Sequence, residues 1–301
     1  MDGGFMTNTL LSGSMVALVT PMKKDLSIDE VSLRALVDWH VDSGTHAIVP
    51  CGTTGESATL THDEHKQVIS IVVDQANKRV PVIAGAGSNS TKEALELHAH
   101  AREAGADAAL HITPYYNKPT QDGLKAHFLT LADSSDLPIV LYNVPGRTGV
   151  NMEASTTIEL SRHENIVAVK EASGSLNQAS EILDSVSHEF SFLSGEDAFT
   201  FPLYALGANG VISVTANVRP KEMSDQWKAI EKSDYETARQ LHYALMPLHQ
   251  GLFCETNPIP VKTALSMMGK IGEHFRLPLT SISDHNRESL KALLSRFDLL
   301  F

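Results

Sequence analysis

Short apolar runs recur along the chain, separated by longer stretches in which apolar residues return at helical spacing. Eight runs stand out: MVALVT from Met15, AIVP from Ala47, VPVIA from Val80, AALHI from Ala108, PIVLYNV from Pro138, IVAVK from Ile166, FSFL from Phe190 and GVISV from Gly210. Most are continuous rather than alternating, the pattern of parallel strands buried on both faces. The intervening stretches read as amphipathic helices. In residues 31–41, Leu33, Leu36, Val37 and Val41 share one face. Ser27 with Glu30, and Thr61 with Glu64, have capping-box spacing. Gly44, Gly105 and Gly207 each follow a helical stretch and precede a strand. Glycine there lets the chain reverse through a left-handed residue after a helix end.

Eight strands alternating with helices predict a (β/α)8 TIM barrel in the α/β class. An open doubly wound sheet is disfavoured, because no G-x-G-x-x-G follows the first strand. Beyond about residue 222 the strand signal stops, and residues 224–246, 262–269 and 283–299 read as helices. The expected organisation is a flexible lead-in over 1–12, a catalytic barrel over 13–221 and a C-terminal helical region over 222–301.

The chain has 301 residues and 42% hydrophobic content, which suits one large core. Its formal net charge of −12 argues against nucleic acid as a partner, which needs clustered Lys and Arg. No apolar run approaches the roughly 18 residues of a membrane span. The start, MDGGFMTNTLLSG, has no basic segment and no long apolar segment, so a signal peptide is not expected. Cys51 and Cys254 lack metal or disulfide spacing and read as reduced thiols in a cytoplasmic protein. His62 and His65 lack the i, i+4 spacing of a zinc helix, and His98 and His100 diverge on theirs. No metal site is expected.

A barrel of this kind works at the C-terminal ends of its strands. The residues that follow the apolar runs are therefore the candidates for chemistry. They include Thr53, Thr54, Tyr116, Tyr142, Arg147, Lys170 and Gly195. Lys170 closes an apolar strand. It either snorkels to water or serves as an amine nucleophile, helped by apolar surroundings that disfavour its charged form. GTTGE at 52–56 is either a plain turn or a cradle of N–H groups and hydroxyls for a carboxylate. Arg147 is either a surface ion-pair partner or a two-pronged carboxylate ligand. Tyr116 and Tyr142 are either packing residues or proton carriers.

The motifs GTTGES at 52–57, TPYYNKP at 113–119, YNVPGRTG at 142–149, VKEASG at 169–174, GVISV at 210–214 and NPIPVK at 257–262 together resemble the dihydrodipicolinate synthase family. That family is also called 4-hydroxy-tetrahydrodipicolinate synthase. The likeness runs from about residue 13 to the C-terminus. It implies that Lys170 forms a Schiff base with pyruvate, and that the derived enamine attacks L-aspartate 4-semialdehyde on the route to lysine. It implies Tyr142 as general acid–base, with Thr53 and Tyr116 completing a proton relay, Tyr116 by reaching into a neighbouring subunit. Thr54, Gly195 and, through its backbone, Ile212 match positions around pyruvate, and Arg147 matches the ligand of the aldehyde's carboxylate. No metal and no added cofactor are implied, because the lysine is the covalent catalyst. Gly146 and Thr263 depart from the usual residues at positions with no chemical role.

The resemblance also implies a cytoplasmic homotetramer of two tight dimers and feedback inhibition by L-lysine. Ser57, Ala58, His62, His65, Asn89, Glu93 and Tyr115 match the inhibitor site. The nearest alternative is another pyruvate-dependent lyase, such as N-acetylneuraminate lyase or a 2-keto-3-deoxy sugar acid aldolase. Sugar-acid lyases usually lack the arginine of YNVPGRTG. A non-catalytic keto-acid sensor would lack the lysine or the tyrosines, which are all present.

Overall fold

The computed structural model describes residues 11–300. Residues 1–10 of the expected lead-in lie outside the described residues. All eight apolar runs form strands: β1 (Gly13–Ala17), β2 (Ala47–Val49), β3 (Ile83–Gly85), β4 (Ala108–Ile112), β5 (Ile139–Asn143), β6 (Ile166–Glu171), β7 (Ser191–Ser194) and β8 (Gly210–Ser213). Every ladder is parallel, in the order β2-β1-β8-β7-β6-β5-β4-β3. A parallel bridge between Ile48 and Val82 joins the two ends. The Ile48 N–H donates to Pro81 O at 3.0 Å and the Gly85 N–H to Pro50 O at 2.9 Å. The sheet therefore closes into the expected (β/α)8 barrel.

Between the strands lie α1 (Glu30–Asp42), α2 (His62–Ala76), α3 (Thr91–Ala104), α4 (Gln121–Ala132), α5 (Pro145–Thr148), α6 (Ala154–Leu160), α7 (Leu176–Ser185) and α8 (Thr200–Ala205). After β8 come α9 (Pro220–Glu231), α10 (Tyr235–Gly251), α11 (Ile259–Met267) and α12 (Asp284–Arg296). The Thr61–Glu64 capping box forms with both bonds in place. The Ser27–Glu30 box does not. Asp29 caps α1 by accepting from the Ser32 N–H, and Ser27 turns to Asp25. The helix read over 224–246 is two helices. Ser233 sits at φ 58, and Asp234 restarts the chain by accepting from the Thr237 N–H at 3.0 Å. No glycine or proline marks that break, so the apolar period runs through it unnoticed.

Alternation along the strands divides the core. Val140 with Tyr142, Ala168 with Ala172, Met15 with Ala17, Leu193 and Ile212 form a cluster inside the barrel. Residues of opposite parity, such as Leu141, Val169 and Phe192, pack outward under the helices. Lys170 shares its parity with Ala168 and Ala172, so the strand itself aims the amine into the barrel. Glu171 points the other way. Its buried carboxylate accepts from Asn143 Nδ2, the Ser173 N–H and Gln178 Nε2.

Candidate active site

A cavity of about 300 Å³ opens at the C-terminal mouth of the barrel. Ala17, Val49, Leu110 and Ala172 form part of its apolar lining. Thr53, Thr54, Tyr142, Arg147, Lys170 and Gly195, all singled out from the sequence, line it together.

Lys170 and Tyr142 are register partners across the β5–β6 ladder. Both are only 6% exposed. The Lys170 Nζ stands 4.3 Å from the centroid of the Tyr142 ring. An ammonium over an aromatic face gains on the order of 0.5–2 kcal/mol. Among the described residues no carboxylate pairs with Lys170, so the ring is the group beside it and the amine faces the cavity. Gly195 is required by close approach. A Cβ there would meet the Ala172 Cβ at 2.6 Å and Glu171 O at 3.0 Å. A larger residue would push β7 off the strand that carries Lys170.

The turn after β2 supplies Thr53 and Thr54. It is closed by Gly55 N–H to Gly52 O and Glu56 N–H to Thr53 O, both 3.1 Å. Thr54 is buried, and its Oγ1 accepts from Asn257 Nδ2 at 2.9 Å. Arg147 stands on α5, exposed at the mouth, and no carboxylate among the described residues pairs with it. Its guanidinium is therefore available to an anion entering from solvent.

Ile212 is buried inside the barrel and does not line the cavity with its side chain. Tyr116 is not in the cavity of its own chain either. It is 89% exposed, with φ 70, and follows β4 on a loop that projects outward. Left-handed backbone is uncommon outside glycine and disfavours an ordinary residue by roughly 1–2 kcal/mol.

Five polar or aromatic lining residues received no role from the sequence: Glu196, Asp197, His249, Phe253 and Asn257. Asp197 Oδ2 accepts from the Val214 and Thr215 N–H groups at 3.0 and 2.8 Å, which ties β7 to the end of β8. Thr215 Oγ1 and His249 Nδ1 lie 2.8 Å apart. Burial holds the His249 imidazole below its usual pKa. Burial, then the neighbouring Glu171 and Asp197 charges, raises the Glu196 carboxyl. Glu196 and Asp197 are legible as rim residues from their place just after a strand, and Asn257 lies in the NPIPVK motif, although the sequence assigns none of them a role. His249 and Phe253 come from α10 and the segment after it, where no local pattern announces a site.

The residues matched to an inhibitor site lie around the turn after β2, the start of α2, the start of α3 and the loop after β4. Ser57 is half-buried, Ala58 and His62 are exposed, and His65 is buried with Nε2 2.6 Å from Gly85 O. Asn89 Nδ2 donates to Tyr115 O at 3.2 Å. Ser88 Oγ donates to the Glu93 carboxylate at 2.7 Å. Among the described residues no cluster of three or more His, Cys, Asp or Glu could hold a metal ion. No helix there is long and apolar enough to cross a membrane.

The closed barrel, with an amine aimed into the cavity at its C-terminal mouth, defines an aldolase-type lyase. The chain belongs to the Dihydrodipicolinate synthetase family, whose family model matches residues 10–297. It is 54% identical to 4-hydroxy-tetrahydrodipicolinate synthase of Geobacter sulfurreducens over 291 residues, 97% of this chain and all of that protein. Among solved structures it is similar to the chloride-inhibited dihydrodipicolinate synthase of Acinetobacter baumannii complexed with pyruvate. That likeness has a TM-score of 0.94 at 47% identity and covers 96% of this chain and 99% of the other. It is also similar to the enzyme of Cyanidioschyzon merolae with lysine bound, with a TM-score of 0.93 at 41% identity over 96% and 99%.

Proposed function

We propose that this chain is a 4-hydroxy-tetrahydrodipicolinate synthase that condenses pyruvate with L-aspartate 4-semialdehyde. The observation that carries the reading is the Lys170 amine, aimed into the cavity beside Tyr142 and without a carboxylate partner among the described residues. The amine attacks the pyruvate ketone, and water leaves as the imine forms. The imine draws electrons from the methyl carbon, which loses a proton to give the enamine. The enamine carbon attacks the aldehyde, whose oxygen takes up a proton. The amine of the second substrate then adds to the imine carbon, the ring closes and the Lys170 amine departs.

Tyr142 moves the protons in these steps, linked through Thr53 to Tyr116 of a neighbouring copy. The outward projection of Tyr116 supports that arrangement, since its own chain gives it no place in the cavity. Thr54, Gly195 and the Ile212 backbone hold the pyruvate unit, and Arg147 holds the carboxylate of the aldehyde. The assembly is a homotetramer of two tight dimers in the cytoplasm. L-lysine inhibits it at the site of Ser57, Ala58, His62, His65, Asn89, Glu93 and Tyr115.

Incubation with pyruvate and borohydride tests the chemistry. A reduced adduct should appear on Lys170 and no other lysine, and untreated enzyme with pyruvate should consume the semialdehyde in a separate coupled assay. An adduct confined to other lysines would overturn the assignment. Adduct formation with turnover of a sugar-derived aldehyde, but not of the semialdehyde, would move the chain to a sibling lyase.

A further inference from the structure

Two residues of the NPIPVK motif reach back from the C-terminal helices to the turn beneath the cavity. Asn257 donates to Thr54, and Lys262 of α11 pairs with Glu56. Both charged side chains of that pair are 0% exposed. The Lys262 Nζ also donates to His274 O at 2.7 Å and stands 5.1 Å from the Phe275 ring centroid, while the second Glu56 carboxylate oxygen is buried with no hydrogen-bond partner among the described residues, which leaves Lys262 as the hold on that side chain. We propose that Lys262 is a positioning residue: its ammonium fixes Glu56, and Glu56 fixes the turn that presents Thr53 and Thr54 to a keto acid.

The inference rests on the proposed pyruvate chemistry and goes beyond it to a residue that never touches the substrate. The turn needs an external hold. Cys51 and Glu56, at its two ends, both sit at φ 55, a left-handed conformation that side-chain-bearing residues keep only when their surroundings over-determine them. Between them Gly55 has no room for a side chain, with a Cβ 2.9 Å from Cys51 N. Thr20 Oγ1 donates to Gly55 O at 2.7 Å, which pins the middle of the turn. The ion pair pins its end.

A buried ion pair contributes little net stability, because stripping water from two charges offsets their attraction. Its geometric effect is larger. Glu56 is in the left-handed conformation directly after Gly55, so the ion pair holds the residue whose backbone ends the turn. Asn257 adds a directional element. Because Thr54 Oγ1 accepts from Asn257, its own proton is left to donate into the cavity that Thr54 lines. A carboxylate there meets a donor already turned toward it. The C-terminal helices thus tune the keto-acid end of the site, although they belong to no βα unit.

The test separates position from stability. Each single change, Glu56→Gln or Lys262→Met, strands one buried charge and should lower the melting temperature. The double variant Glu56→Gln/Lys262→Met removes both charges and should recover most of that loss. In the recovered double variant KM for pyruvate should remain raised about tenfold, with KM for the semialdehyde unchanged. Half-saturation of borohydride trapping on Lys170 should move by the same factor. A double variant that melts and binds pyruvate like the wild type would overturn the proposal. Glu56→Asp provides a second arm, since it keeps both charges but shortens the reach by one methylene. It too should raise the pyruvate half-saturation, and an unchanged value in the folded variant counts against positioning. Failure of both variants to fold would assign the pair to stability and also overturn it. Absence of any adduct on wild-type Lys170 would instead remove the underlying reaction.

Discussion

Lys170 and Tyr142 face each other in register across neighbouring parallel strands, with the Lys170 Nζ 4.3 Å from the Tyr142 ring centroid. Neither depends on a loop for its position. The strand period aims both side chains inward, and Ala168, Ala172 and Val140 share their parity. The amine and its proposed acid–base partner are thus held on paired strands rather than on loops, as a precise reaction geometry needs.

Tyr142→Phe separates the two roles of that tyrosine. The ring that packs beside the amine remains, while the hydroxyl is lost. Loss of a positioned acid–base group should lower kcat by roughly 10²–10⁴-fold. The melting temperature should stay close to wild type, and borohydride should still trap pyruvate, though more slowly. A variant with near-wild-type kcat would remove Tyr142 from proton transfer.

Arg147→Ala should weaken the semialdehyde and spare pyruvate. The guanidinium sits exposed at the cavity mouth, with no carboxylate paired to it among the described residues. A charge-assisted hydrogen bond contributes about 1.5–3 kcal/mol, so KM for the semialdehyde should rise about 10- to 100-fold per bond lost. Steady-state kinetics with each substrate varied in turn reads the difference. Equal damage to both KM values would mean that Arg147 supports the loop instead.

Most of the barrel is legible in the sequence because its strands are buried on both faces. AALHI and IVAVK need no alternation to be recognised, and the glycine at 105 is a left-handed helix cap at φ 86. The split between α9 and α10 is not legible, since Lys232–Ser233–Asp234 turns without glycine or proline. The site divides the same way. Lys170, Tyr142 and Thr53 follow apolar runs directly. His249, Phe253 and Asn257 arrive from helices and loops after the barrel, and only three-dimensional closure brings them to the cavity. Glu171 is hardest to read. It adjoins Lys170 in sequence but faces the opposite side of the strand, where Asn143 and Gln178 satisfy it.

Tyr116→Phe and Lys170→Ala should each be inactive alone and partly active when mixed. Tyr116 is exposed on its own chain, so its proposed place is the site of a neighbouring copy. A hybrid dimer would then carry one site with both an intact lysine and an intact tyrosine. Activity should appear on denaturing and co-refolding the two variants, in proportion to hybrids resolved by native mass spectrometry. Hybrids without activity would place Tyr116 outside the relay.

Stability should fall in mild acid because several histidines are buried neutral. Burial lowers His127 to about 4. Burial, then the Arg102 charge, lowers His98 to about 4. Burial, then His98 and His127, holds His111 well below its usual value. His98 Nδ1 and His111 Nε2 lie 3.1 Å apart, so one ring donates to the other, and a second proton would set N–H against N–H. A histidine with a lowered folded-state pKa contributes fully above its unfolded pKa and loses that contribution as pH falls toward the folded value. Each independent histidine should withdraw about 2 kcal/mol by about pH 5. His127→Gln should therefore flatten the fall in melting temperature between about pH 7.5 and pH 5, leaving the rest to His98 and His111. An unchanged slope would exclude His127 as a contributor.

Inhibition by L-lysine gives the last expectation. A free lysine carries two ammonium groups and one carboxylate, so its site must offer opposite charge and directed hydrogen bonds. Glu93 is the acidic residue in the first turn of α3, where its N–H is capped by Ser90. Its carboxylate does not close a capping box on Ser90 but turns to Ser88 Oγ. A glutamate freed from capping its own helix suits an ammonium ligand better than one that completes the box. Asn89 already meets Tyr115 through the carbonyl oxygen, and Tyr115 is the residue before the proposed relay tyrosine. Ser57 lies one residue beyond the turn that carries Thr53 and Thr54. Lysine bound among these groups would pull on both segments without entering the pyruvate cavity. It should therefore reduce kcat more than it raises KM for pyruvate. Glu93→Thr should abolish the effect while turnover without lysine stays near wild type, because Glu93 does not line the cavity. Initial rates with lysine titrated into the millimolar range decide the matter. Inhibition that persists in Glu93→Thr, or that vanishes at saturating pyruvate, would place the inhibitor elsewhere, the latter in the catalytic cavity itself.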